Sequence, residues 1–76
     1  MTARAVLKSL HSFGFDIVAT RGSHAKLQRQ IETGQRQTLT VPLHNELAPG
    51  TLRAIFRQAS RFIPEEELRP HFYVGD

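Results

Sequence analysis

The sequence predicts an α+β domain: a helix, three antiparallel strands and a second helix, with both helices on one face of the sheet and room for a short third helix near the end. Three observations carry this. Two stretches, near residues 3–13 and 49–59, repeat apolar residues at the three-and-four spacing of a helix with one buried side. Between them lie segments that alternate apolar and polar residues, the period of a half-buried strand. The segments are separated by Gly-containing turns, at Arg21-Gly22-Ser23 and Thr33-Gly34-Gln35. A chain of 76 residues allows one such domain with one core, and with no cysteine its stability must come from packing.

Thr2 can cap the first helix, and Ala3, Val6, Leu7, Leu10 and Phe13 form its buried stripe. Gly14 ends it. Lys8 and His11 lie off the stripe. Phe15 to Ala19 reads as a short strand. The next strand places Ala25, Leu27 and Ile31 on one side, with Arg29 as the exception to its apolar character, and His24, Lys26, Gln28 and Gln30 on the other. Leu39, Val41 and Leu43 alternate with Thr38, Thr40 and Pro42 in a third strand. Pro42 lacks a ladder donor, so pairing stops there or the strand lies at an edge.

Residues facing one another across a sheet share a side, which leaves two registers for the second hairpin. One pairs Leu27 with Val41 and His24 with His44. The other pairs Leu27 with Leu39 and His24 with Pro42, leaving His44 one step beyond. Both put the two histidines at the open end of the same hairpin.

Pro49 suits the first turn of the second helix, whose buried stripe is Leu52, Ile55, Phe56 and Ala59. Arg53, Arg57 and Arg61 recur every four residues on another side. Such a ridge can grip phosphates, receive carboxylates from a protein partner, or simply be solvated. Ile63 to Leu68 can form the short third helix, with acids near its start. His71-Phe72-Tyr73-Val74 is an apolar end that either folds back on the core or docks on another chain; His71 itself reads as incidental.

Charge divides the chain. Up to Arg61, nine Lys/Arg against three acids give +6; from Phe62 onward, Arg69 against four acids gives −3. The expected organisation is therefore a domain over residues 1–61 and an acidic C-terminal extension over 62–76, which either belongs to the same domain or docks on a partner. A basic surface attracts polyanions, nucleic acid above all. No apolar run approaches the roughly 20 residues that cross a bilayer, so no membrane is expected and the cytoplasm is the default location.

The stretch from Thr20 to Lys26 holds the chemistry. A turn at Gly22-Ser23 brings His24 to the mouth of a strand, held in place yet open to solvent. Histidine is the side chain whose unperturbed pKa lies near neutral pH, so it can give and take protons there. Four histidines without cysteine and without a carboxylate cluster do not make a zinc set, and no metal or other cofactor is expected.

Several segments then coincide in order: Leu10-His11-Ser12-Phe13-Gly14-Phe15, Arg21-Gly22-Ser23-His24, Val41-Pro42-Leu43-His44, Glu46-Leu47, Pro49-Gly50-Thr51-Leu52-Arg53 and Ile55-Phe56-Arg57-Gln58-Ala59. Together, over about Ala3 to Ser60, they resemble the HicA family of bacterial toxins, also called YcfA-like mRNA interferases. Leu27 stands where that family often has an aromatic residue, and the segment after Phe62 lies outside the resemblance. The resemblance implies a fold like a double-stranded-RNA-binding domain and translation-independent cleavage of mRNA. It also implies an essential histidine at His24 and silencing by a HicB-type antitoxin in a hetero-oligomeric complex. Arg21, Ser23, Lys26, His44, Arg53 and Arg57 are the candidates for holding RNA phosphates, with His44 also the candidate for a second proton carrier. Two other uses fit the same residues: an RNA-binding module without chemistry, and a protein-interaction domain whose arginine ridge meets an acidic partner.

Overall fold

The computed structural model describes residues 1–72. The elements are α1 (Ala3–Ser12), β1 (Asp16–Arg21), β2 (His24–Gln30), β3 (Arg36–Pro42), α2 (Pro49–Ala59) and α3 (Glu65–Phe72). The strands form one antiparallel sheet in the order β1-β2-β3. The α-β-β-β-α order is that of a double-stranded-RNA-binding domain, with α3 added after it.

Local sequence accounts for the ends of α1. The Thr2 hydroxyl accepts from the Ala5 amide at 3.1 Å, which satisfies one of the free donors of the first turn. At the other end, the Gly14 amide donates to the His11 carbonyl (2.9 Å) and the Phe15 amide to the Leu10 carbonyl (3.0 Å). This is a Schellman closure, with buried Leu10 and Phe15 as its apolar pair. His11 Nδ1 lies 2.5 Å from Asp16 Oδ1, tying the end of α1 to the start of β1.

The helices cover one side of the sheet. Ala25, Leu27, Leu39 and Val41 are buried there against Val6 and Leu10 of α1, Ile55, Phe56 and Ala59 of α2, and Leu68 and Phe72 of α3. The opposite side, with His24, Lys26 and Thr40, is exposed. α3 extends past the expected Leu68 to Phe72, because Leu68 and Phe72 both reach the core while Glu65 and Arg69 pair on the outside at 3.0 Å. His71 packs edge-on to Phe13, ring centres 5.1 Å apart. Tyr73 and Val74, read above as part of the apolar end, lie outside the described residues.

The second hairpin adopts the register that pairs Leu27 with Leu39 and His24 with Pro42. Gly34 decides this. It has φ +88°, and the Ile31 amide donates to the Gln35 carbonyl at 3.0 Å. The loop is therefore Glu32-Thr33-Gly34, with its third residue left-handed, as three-residue hairpin loops require. The alternative register would move Gly34 off that position. The first hairpin closes on two residues rather than three: β1 runs on to Arg21, and only Gly22 and Ser23 form the turn. Gly22 has φ +57° and Ser23 a negative φ, the pattern of a type II′ turn.

Two expectations about the inner side change. Ile31 lies just past the end of β2, at the foot of the loop where its amide bonds to the Gln35 carbonyl, and is only half-buried. Its inward position is taken by Arg29, which is no exception to be tolerated. The Arg29 guanidinium donates to the carbonyls of Phe13 and Phe62, each at 2.9 Å, and Nε donates to Gln37 Oε1 at 2.6 Å. It also stacks 4.7 Å above the Phe15 ring. One side chain thus joins the end of α1, the α2–α3 connection and β3. At the outer edge of β3, Gln58 of α2 accepts from the Thr40 amide (2.9 Å) and donates to the Thr40 carbonyl (3.3 Å).

Arg29→Met should lower the unfolding free energy by about 2–3 kcal/mol in urea titrations, because two charge-assisted bonds to carbonyls are lost. Arg36→Met, on the exposed side, should change it by less than about 0.5 kcal/mol. Gly22→Ala has open space for its Cβ, so its cost is purely that of the positive φ. We expect about 1–2 kcal/mol for it, and clearly less for Gly22→Asn, in the same measurement.

Candidate functional site

The uncovered side of the sheet carries a shallow depression of about 410 Å³ lined by Ala19, Thr20, Arg21, His24, Ala25, Lys26 and Thr40. Strand geometry explains the grouping. His24 and Lys26 are two residues apart on β2 and therefore point the same way. Thr40 faces Lys26 from β3, and Arg21 faces His24 from β1.

Arg21 reaches that side only because β1 contains a bulge. Ile17 pairs with Leu27, but Ala19 pairs with Lys26, so Val18 is an extra residue. Simple alternation from Ile17 would turn Arg21 toward the helices. The inserted Val18 reverses the sense and brings Arg21 level with His24, as bulges do when they re-aim a side chain. The sequence held one sign of this, since Ile17-Val18 breaks the polar–apolar alternation. Ile17 and Val18 remain 50 % and 53 % exposed.

The structure brings Arg21, His24 and Lys26 together. All three are exposed, and none has a side-chain hydrogen bond or ion pair among the described residues. Two cations beside an unengaged imidazole make a place where an anion can sit within reach of a proton carrier. Ser23 lies in the turn just before, its carbonyl accepting from the Leu43 amide at 2.6 Å.

The other candidates lie elsewhere. His44 lines a separate cavity between the β3–α2 connection and the start of α1. Arg53 and Arg57 are exposed on α2, in the helical layer, and do not line the depression around His24. Arg61, expected to complete their ridge, lies past the end of α2 and stacks 5.5 Å from the Phe62 ring. Among the described residues, no three His, Asp, Glu or Cys side chains converge in a metal-binding group. None of the helices among them is long and apolar enough to cross a membrane.

Comparison with curated proteins finds no match, nor does comparison with solved structures. A family model does match. It is described as the HicA toxin of bacterial toxin–antitoxin systems, and it spans residues 3–60, from the first residue of α1 to the residue that caps α2. That span holds the whole α-β-β-β-α unit and every residue around His24, so the chain belongs to the HicA toxin family.

Proposed function

We propose that the protein is an endoribonuclease that cleaves mRNA, with His24 as its general acid or base. The observation that carries this is the exposed cluster of His24, Arg21 and Lys26 on the uncovered side of the sheet. RNA brings its own nucleophile, so the protein has little to supply. The 2′-oxygen gives its proton to the His24 imidazole and bonds to phosphorus. The bond from phosphorus to the 5′-oxygen breaks, and that oxygen takes up a proton. The products carry a 2′,3′-cyclic phosphate and a 5′-hydroxyl. Arg21 and Lys26 hold the charge on the phosphorus oxygens, and the Ser23 hydroxyl contributes a neutral hydrogen bond beside them. Arg53 and Arg57 supply further phosphate contacts along α2. The route needs no metal ion.

Membership in a toxin family implies an antitoxin partner. We assign that role to a HicB-type protein whose carboxylates neutralise Arg21 and Lys26 and cover His24, within the cytoplasm where mRNA is found. The segment from Phe62 onward belongs to the same domain as far as α3, whose Leu68 and Phe72 sit in the core.

His24→Ala should reduce RNA cleavage by roughly 10²–10⁴-fold or more, the share a positioned proton carrier supplies, with an unchanged circular-dichroism spectrum. It should also relieve growth arrest on induced expression. Undiminished cleavage would remove His24 from the chemistry. Products with 5′-phosphates would exclude the 2′-hydroxyl route, and activity lost in EDTA but restored by magnesium would exclude the metal-free one. A salt-sensitive complex in which RNA stays intact would leave a binding module without chemistry.

A further inference from the structure

We propose that the cavity beside His44 is a subsite for a purine base of single-stranded RNA, next to the scissile linkage. Its position along a substrate rests on the ribonuclease reading; its existence as a base site does not. The cavity has a volume of about 570 Å³, within the range of pockets that hold small organic groups. Ala3, Leu7 and Leu43 give it an apolar floor, and Arg4, His44 and Asn45 give it a polar rim. The rim residues are all exposed, and their side chains have no hydrogen bond or ion pair among the described residues. No carboxylate lines the cavity, so nothing in its wall repels a polyanion.

This is the chemistry that recognises an unstacked base. Single-stranded RNA is read by laying bases on aromatic, histidine or arginine planes and bonding their edges. His44 and Arg4 offer two such planes. Asn and Arg side chains each match, two bonds at a time, the edge that includes N7, which adenine and guanine have and pyrimidines lack. The apolar floor takes the ring that water leaves.

The site is preformed and tied to His24. The Ala3 amide donates to the His44 carbonyl at 3.2 Å, and the Leu47 amide donates to the Met1 carbonyl at 2.9 Å, which fixes the 44–47 segment along the start of α1. Leu43, in the floor, donates its amide to the carbonyl of Ser23, the residue before His24. One backbone hydrogen bond thus ties the floor of this cavity to the residue that precedes His24. His44 lines this cavity and not the depression around His24.

The test is binding, so it does not depend on cleavage. Fluorescence anisotropy at low salt would measure His24→Ala protein with labelled hexa-adenylate, hexacytidylate and hexauridylate. We expect hexa-adenylate to bind about tenfold tighter than either pyrimidine hexamer, the scale of a good edge contact. Adding Arg4→Ala and Asn45→Ala should bring the three affinities within about twofold of one another. Equal affinities in the starting protein, a preference unchanged by the added substitutions, or no binding to any hexamer would each overturn the subsite. If wild-type protein leaves RNA intact while the adenylate preference holds, the ribonuclease reading falls and the subsite stands.

Discussion

Ala25 and Leu27 are buried because they face Val41 and Leu39 beneath the helices, and a strand that buries those residues must turn the alternate ones to water. His24 and Lys26 are placed by that requirement alone. A slip of one residue between β2 and β3 would bury a histidine and a lysine and expose the core. The site is thus secured by the same apolar contacts that hold the fold. What sets the slip to zero is the short loop after β2, where the backbone accepts a left-handed glycine only at Gly34.

Much of this was readable in the residues. The capping threonine, the two apolar stripes, the three strands and the exposed His24 follow from spacing and turn chemistry. Four things did not follow, each for a physical reason. The register of β2 on β3 was narrowed to two by shared sidedness, and the choice between them falls to Gly34 and the left-handed position it takes in the loop. The inward Arg29 was hidden because its justification lies in carbonyls 16 and 33 residues away along the chain, at Phe13 and Phe62. The bulge at Val18 leaves a faint mark, two consecutive apolar residues, which a ragged strand would leave as well. For the same reason Arg21 could be suspected from its neighbours but not from its direction. His44 was read as a companion of His24 because both end the same hairpin. Beyond Pro42, however, the chain leaves the sheet to run along α1, and the imidazole goes with it.

The cations divide into two populations. Arg29, Arg61 and Arg69 are spent within the protein, on carbonyls, aromatic faces and Glu65. Arg21 and Lys26, like Arg4 beside the second cavity, have no such engagement among the described residues. Like charges left unpaired on one small surface repel each other and cost stability. A polyanion or an acidic partner removes that cost. The family assignment supplies a context for both kinds of ligand, since a toxin needs a target and an antitoxin needs a surface to neutralise.

Gln58 has a consequence for how the protein behaves in a crowded solution. Its amide imitates the next strand at Thr40, so the outer rim of β3 has no free donor and acceptor there to template another chain. At the far rim, the extra residue in β1 spoils the regular ladder that an incoming strand would need. Both margins of a small three-stranded sheet are blunted, each by a different device, and edge-to-edge aggregation into fibrils is disfavoured from either side.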